Sequence, residues 1–199
     1  MRMPDTSDDH RVIISSHRGA VIAGDYRYLL WRTWDAALSR LLWVMLNPST
    51  AGESSDDPTI RRCVGFSRSW GYGGLEVVNL FALRTAKPST LRQATEPIGP
   101  ENDRYIAEAA TRADGIVVAW GEHGGYMGRD RAVLALLWRH IGRSLQCLGV
   151  NRDDSPRHPL YVASAVMLGP YLDGSESGHG RIEPLASEER FGNGTERHL

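Results

Sequence analysis

Two polar side chains have rigid neighbours that hold each of them in place. Asn47 follows an apolar run and precedes Pro48, so its amide lies directly where a buried strand is expected to end. His158 lies in a loop between two prolines, which leave its backbone few alternative conformations. An amide can orient a water or a ligand, and an imidazole can donate to developing negative charge. We therefore predict Asn47 and His158 as catalytic residues.

Each of these residues also has a purely structural interpretation. An Asn at the end of a strand can close it as an Asx-type turn, and a single loop histidine is in most proteins simply hydrogen-bonded. Ser49 and Thr50 add small side chains and backbone N–H groups that suit an anion, although the glycine pattern of a phosphate loop is missing. The sequence leaves both interpretations open.

A second apolar run contains Asn79 and ends near Arg84. Because a polar residue among apolar neighbours is costly unless it is hydrogen-bonded, Asn79 is expected either to support the first loop or to face the pocket. The fork of Arg84 suits a phosphate or a carboxylate, and an ordinary salt bridge fits equally well.

Apolar runs alternate with helical patterns along the chain, which predicts an α/β fold with helices on both faces of one sheet. We expect a three-layer sandwich whose central sheet is mostly parallel. The predicted strands are 26–34, 40–46, 75–83, 115–120 and 144–150, and the predicted helices are 57–70, 102–113 and 129–141. Loops at the carboxyl ends of such strands bind ligands, so the site is expected in loops 47–57, 84–90, 121–128 and 151–159.

Composition predicts one globular domain over residues 11–172 of the 199-residue chain, with a flexible N-terminus, 1–10. The tail 173–199 is rich in Gly, Ser and Glu and is expected to be disordered. No apolar run is long enough for a membrane span or a signal peptide, which predicts a cytoplasmic protein without a membrane partner. Cys63 and Cys147 stand singly among apolar residues, so we expect reduced core thiols and no metal or other cofactor.

The charge of the chain is unevenly distributed. Segment 61–92 contains six basic residues and one acid, a local charge of +5, although the whole chain has a formal charge of −1. This segment is a candidate surface for phosphate groups, with scattered solvated arginines as the alternative.

Six short segments follow one another in an order typical of a known family. They are MLNPSTA, DDPTIRRC, WGYGGLEVVNLFALR, PIGPEND, VVAWGEHG and PRHPLY. Over roughly residues 26 to 165 the chain resembles the bacterial and phage family named domain of unknown function family 1643. That family has no settled activity, so the resemblance implies a fold unit and a set of motif loops.

The order of the motifs is also similar, more distantly, to the uracil-DNA glycosylase superfamily, especially its mismatch-specific thymine/uracil branch. Those enzymes have a strand ending in an Asn-Pro loop, a later strand in which an Asn leads to an Arg, and a last strand that runs into a loop gripping the flipped base. The counterparts here would be Asn47-Pro48-Ser49, Asn79 with Arg84, and Arg157-His158-Pro159.

The glycosylase resemblance implies a role for each counterpart. Asn47 would position the attacking water, Asn79 or the first loop would read the base edge, and His158 would stabilise the oxyanion of the departing base. Base flipping also needs a stacking face, for which Phe66 and Trp70 are available. The implied substrate contacts are then Pro48, Ser49, Phe66, Trp70, Asn79, Arg84 and Arg157.

Three functions follow from these observations. The first is an enzyme of the uracil-DNA glycosylase-like fold that hydrolyses the N-glycosidic bond of a nucleotide or a nucleic-acid base. The second is a non-catalytic module that binds a nucleotide, nucleobase or nucleic acid through Asn47, Arg84 and the arginines at 61–68. The third is a small-molecule hydrolase or transferase that has nothing to do with bases.

Overall fold

The structure of the chain is a computed structural model that describes residues 11–15, 17–49, 55–141 and 144–172. The N-terminus 1–10, the tail 173–199 and Thr50 lie outside the described residues. The strands are β1 Arg11–Ser15, β2 Arg18–Ala23, β3 Tyr26–Thr33, β4 Arg40–Met45, β5 Gly74–Asn79, β6 Gly115–Val118, β7 Gln146–Cys147 and β8 Gly169–Pro170. The α-helices are α1 Pro58–Ser69, α2 Pro88–Gln93, α3 Asn102–Arg112 and α4 Arg129–Ile141. None of these helices is long and apolar enough to cross a bilayer.

All of these strands belong to one mixed sheet, in the order β1-β2-β3-β5-β4-β6-β7-β8. Strands β4 to β7 pair in parallel, whereas β1, β2, β3 and β5 form an antiparallel series and β8 is antiparallel to β7. The expectation of a mostly parallel sheet is therefore wrong. Two strands that the apolar pattern does not predict, β1 and β2, precede Tyr26. Short turns are enough to join them to β3 as an antiparallel meander, because antiparallel neighbours need no crossover helix.

The parallel strands end together at one edge of the sheet. β4 lies between β5 and β6, with Met45 opposite Asn79 and Val44 opposite Val118. The last predicted strand, 144–150, is a strand over Gln146–Cys147, and Val150 makes an isolated bridge with Pro156. Between them Gly149 adopts a φ of +98° and turns the chain. The three central strands thus bring their following loops to one edge.

Two apolar clusters form on opposite sides of β4. Leu42 and Val44 pack with residues of α3 and α4, and Trp43 and Met45 pack with residues of α1. Successive side chains of a strand point to opposite faces, which separates the clusters. Cys63 lies in the α1 cluster as a free, fully buried thiol, and burial raises its pKa.

Helix α1 begins where the sequence predicts it. Asp57 is the N-cap, Pro58 follows in the first turn, and Asp57 Oδ1 accepts a hydrogen bond of 2.7 Å from the Ile60 backbone N–H. Gly71, with a φ of +82°, follows the C-cap residue Trp70. Because α1 follows β4 along the chain, its first turn lies at the edge where β4 ends.

Candidate functional site

A cavity of about 510 Å³ lies at the carboxyl ends of the parallel strands. Its volume is within the range of about 300–1,000 Å³ that is usual for small-molecule sites. The lining residues come from the segments after β4, β5, β6 and β7: Leu46, Ala86, Trp120, Gly121, Glu122, His123, Asn151, His158 and Tyr161. The sheet therefore places a concave site at the edge that the strand pattern indicated.

His158 is half-buried and begins a short 3-10 helix, Pro159–Tyr161. Its Nδ1 accepts a hydrogen bond of 3.3 Å from the Leu160 backbone N–H, so in the neutral ring the proton is assigned to Nε2. Burial lowers the pKa of His158, and the nearby Asp57 carboxylate partly offsets this effect. The ring is thus an uncharged hydrogen-bond donor at neutral pH.

Asp57, the N-cap residue of α1, is also the carboxylate nearest in effect to His158. Its Oδ1 accepts from the Ile60 N–H, and its Oδ2 makes a short hydrogen bond with the Ser49 hydroxyl. It also acts electrostatically on His158 and on Arg27, two residues that are far apart in sequence. The fold therefore brings a carboxylate within electrostatic range of His158, and the only sequence signal for it is its place in the loop after β4.

Arg27 in β3 is a second residue that the motif analysis missed. It is 3% exposed, and its Nε and Nη1 have no hydrogen-bond partner among the described residues. Burial lowers its pKa to about 10, with Asp57 opposing the shift and Arg84 and Arg32 adding to it. Because this pKa remains well above 7, Arg27 is a buried cation at neutral pH.

Arg84, which the sequence predicts to contact substrate, lies beside Arg27. The Arg27 backbone N–H donates to the Ala82 carbonyl at 2.9 Å, and the Arg84 N–H donates to the Asp25 carbonyl at 3.0 Å, so the two segments pair. Arg84 Nε is also buried without a partner. Two guanidinium groups at this edge thus keep unused donors.

The amide of Asn47 is fixed in one orientation. Its Nδ2 donates to the Thr85 carbonyl at 2.7 Å and to the Pro48 carbonyl at 3.0 Å. The Thr85 backbone N–H returns a bond of 2.9 Å to the Pro48 carbonyl. Both amide hydrogens are therefore used on backbone, and the side-chain carbonyl of Asn47 has no hydrogen bond to the described residues.

Asn79, the last residue of β5, is 2% exposed, and its Nδ2 has no hydrogen-bond partner. Alternation along β5 places its side chain on the same face as Val77, which belongs to the α1 cluster. Its backbone carbonyl accepts a bond of 3.0 Å from Asn102, so the strand end is well fixed. Asn79 thus adds another unpaired donor close to the carboxyl edge.

The two aromatic residues proposed for base stacking lie away from the cavity. Phe66 is buried in the α1 cluster and stacks on Trp70 with ring centroids 5.2 Å apart, and Trp70 lines a separate groove with Tyr72. Phe66 has no open ring face, because it points inward from the helix. Tyr161, 82% exposed, lines the cavity instead, with its ring centroid 5.6 Å from that of His158.

The remaining predicted contacts have structural partners. Pro48 is buried, Ser49 bonds Asp57, and the exposed Arg157 donates from Nε to the Val150 carbonyl at 3.0 Å, which braces its own loop. These contacts fix the loops that surround the cavity, and Arg157 is not among the residues that line it.

The arginines of α1 do not form one open surface. Arg62 donates to the Pro159 carbonyl at 3.2 Å and to Ser164 Oγ at 2.7 Å, and its guanidinium lies 4.6 Å from the centre of the Phe66 ring. Arg68 lies over the Trp34 ring at 4.8 Å. The fold therefore uses Arg62 to hold α1 against the loop that carries His158.

The titration of His158 provides a test of this geometry. Its pKa is expected below the ordinary value of 6.5, and Asp57→Asn should lower it further because the offsetting negative charge is removed. Since the folded chain binds the proton less readily than the unfolded chain, this residue's contribution to stability is present above 6.5. It is lost as the pH falls from 6.5 through the lowered pKa.

Imidazole NMR of the parent protein measures both the midpoint and the tautomer. Asp130→Asn, which removes a carboxylate on α4, is the matched control and should leave the His158 midpoint unchanged. An Nδ1–H tautomer, or an equal response to both variants, would contradict the assigned geometry.

The fold and the site together define an α/β protein with a mixed sheet and a cavity at the carboxyl ends of its parallel strands. The chain belongs to the family described as "Protein of unknown function (DUF1643)", whose model matches residues 27–160. The matched segment begins at Arg27 and includes His158. No curated protein and no solved structure matches the chain.

Proposed function

We propose that the protein is a hydrolase of the N-glycosidic bond of a nucleotide or nucleic-acid base, with a three-layer fold like that of the uracil-DNA glycosylases. The observation that carries the proposal is that His158 lines the cavity and the Asp57 carboxylate is close enough to act on it. The amide of Asn47 is held in one orientation where β4 ends. A proton acceptor and a neutral donor with separate partners can act on opposite sides of one reacting bond.

The proposed reaction forms a carbon–oxygen bond, breaks the carbon–nitrogen bond and carries one proton from the water to the base. The Asn47 carbonyl accepts a hydrogen bond from a water, and Asp57 takes a proton from it as its oxygen attacks the anomeric carbon of the sugar. The carbon–nitrogen bond breaks, and the electron pair leaves with the base. The Nε2–H of His158 stabilises the base oxyanion, and the proton held by Asp57 returns to the departing base.

A non-catalytic binding module is the second candidate, and a separate observation favours it. Arg27, Arg84 and Asn79 have donor atoms without partners, and such donors can bind a ligand without any reaction. Binding alone requires neither Asp57 nor a neutral His158, so the two candidates differ in which residues they need.

Base release distinguishes the candidates. The purified protein is incubated with nucleosides, nucleoside 5′-monophosphates and single-stranded oligonucleotides, and free bases are separated by chromatography. If the protein is a hydrolase, it releases a base. Asn47→Ala should then abolish base release without loss of binding. A retained ligand detected by mass spectrometry, without base release, would support the binding module. If neither release nor retention is seen, the remaining candidate is an enzyme acting on a small molecule unrelated to bases.

A further inference from the structure

We infer that Arg27 and Arg84, with Asn79 at the end of β5, form a binding site for a terminal phosphate monoester. This inference deepens the proposed function, on which its assignment of a base and sugar rests, by naming free nucleoside monophosphates as the substrate class. The phosphate site rests on the donors of these three residues and does not depend on the proposed hydrolysis.

The first step is that several buried donors at this edge lack an acceptor among the residues that the structure describes. Arg27 Nε and Nη1, Arg84 Nε and Asn79 Nδ2 are buried and unpaired. Polar atoms at such positions normally have partners, and leaving a buried charge without one is strongly unfavourable. The missing partner must therefore supply several acceptor atoms.

The second step is that the two nearby carboxylates already have partners. Asp56 accepts from Arg32 at 2.8 Å and from Arg18 at 3.0 Å. Both oxygens of Asp57 are hydrogen-bonded, one to the Ile60 N–H and the other to Ser49. Neither carboxylate therefore serves these donors, and guanidinium groups match the oxygens of a phosphate.

The third step concerns the kind of phosphate. Arg27 is 3% exposed, so a ligand would have to reach it with a narrow end group. A terminal phosphate presents three free oxygens at the end of a molecule, whereas an internal phosphodiester has a sugar on each side. The contacts of Arg62 and Arg68 with the protein's own loops also leave α1 without a continuous track for a polymer backbone.

The fourth step is the position of the phosphate site relative to the reacting groups. Asp57 acts electrostatically on Arg27 and on His158. A nucleotide with its phosphate at Arg27 would then have its sugar near Asp57 and its base toward His158. The exposed ring of Tyr161, beside His158, offers the stacking face for that base.

The test uses the full chain and isothermal titration calorimetry at constant ionic strength set with sodium chloride. The probes are inorganic phosphate, nucleoside 5′-monophosphates, the matching nucleosides and a single-stranded oligonucleotide without terminal phosphates. We expect inorganic phosphate to bind, and at least one monophosphate to bind ten times or more tightly than its nucleoside. Arg84→Gln should weaken phosphate binding by about 10- to 100-fold, as expected for a lost charge-assisted bond.

Arg68→Gln is the matched control, an arginine on α1 whose loss should leave phosphate binding unchanged. Arg27→Lys provides a second variant that keeps the charge but loses the fork, and it should weaken phosphate binding as well. Absence of phosphate binding, equal effects of the Arg84 and Arg68 variants, or tighter binding of the oligonucleotide than of any monophosphate would overturn the inference. Phosphate binding without base release would contradict the proposed hydrolysis and leave the phosphate site supported.

Discussion

Asp57→Asn is expected to lower the rate of base release by about 10²- to 10⁴-fold while the chain remains folded. The amide cannot accept a proton from water, so the general base is lost. Asn is as good an N-cap residue as Asp, and its side-chain oxygen can still accept from the Ile60 N–H. Single-turnover base release measures the chemical step, and calorimetric phosphate binding checks that the site remains intact.

Asp130→Asn is the control for this variant, because it removes a carboxylate from the first turn of another helix. It should release base at the parent rate. If Asp57→Asn also keeps the parent rate, Asp57 is only a helix cap and the reaction needs another base. If both variants lose activity together with phosphate binding, the loss reflects disrupted structure.

Arg27→Met is expected to stabilise the protein in phosphate-free buffer by about 1–4 kcal/mol, the range seen when buried charges are replaced by apolar residues of similar size. Arg27 is buried and two of its nitrogens are unpaired, so methionine removes an unfavourable charge and keeps much of the volume. The same variant should lose the stabilisation that phosphate gives the parent protein. Denaturant unfolding with and without phosphate measures both effects.

Arg32→Met is the matched contrast. Arg32 lies further along β3 than Arg27 and is buried to a similar degree. Arg32 pairs with Asp56 at 2.8 Å and donates to the Trp31 carbonyl at 2.7 Å, so its replacement should destabilise the fold. Changes of opposite sign in the free energy of unfolding of the two variants would support a ligand-binding role for Arg27. Destabilisation of both would show that Arg27 contributes to the fold in the same way as Arg32.

Much of the fold follows from the apolar pattern of the sequence. The runs at 40–46 and 115–120 contain β4 and β6, and the run at 75–83 includes all of β5 except Gly74, because strands buried on both faces are continuously apolar. The Asp-Pro start of α1 is also visible, since cap residues act locally. The strands β1 and β2 were missed because their pairing depends on contacts with β3 that no local pattern encodes.

The site is only partly visible in the sequence for the same reason. Asn47 and His158 are distinguished by neighbouring prolines, a local signal. Arg27 alternates with tyrosines along β3, a pattern typical of a half-exposed strand, yet in the fold it is 3% exposed. Asp57 resembles an ordinary cap until the fold brings His158 and Arg27 within its electrostatic range.

The buried thiol of Cys63 gives the molecule a natural reporter of local opening. Cys63 lies in α1, the helix that begins with Asp57 and packs against the loop of His158 through Arg62. Because the thiolate is the reactive species and burial suppresses it, a thiol reagent reaches Cys63 only when α1 separates from the sheet. The labelling rate of Cys63 therefore reports how often α1 separates from the sheet. A comparison with and without ligand shows whether binding keeps α1 packed.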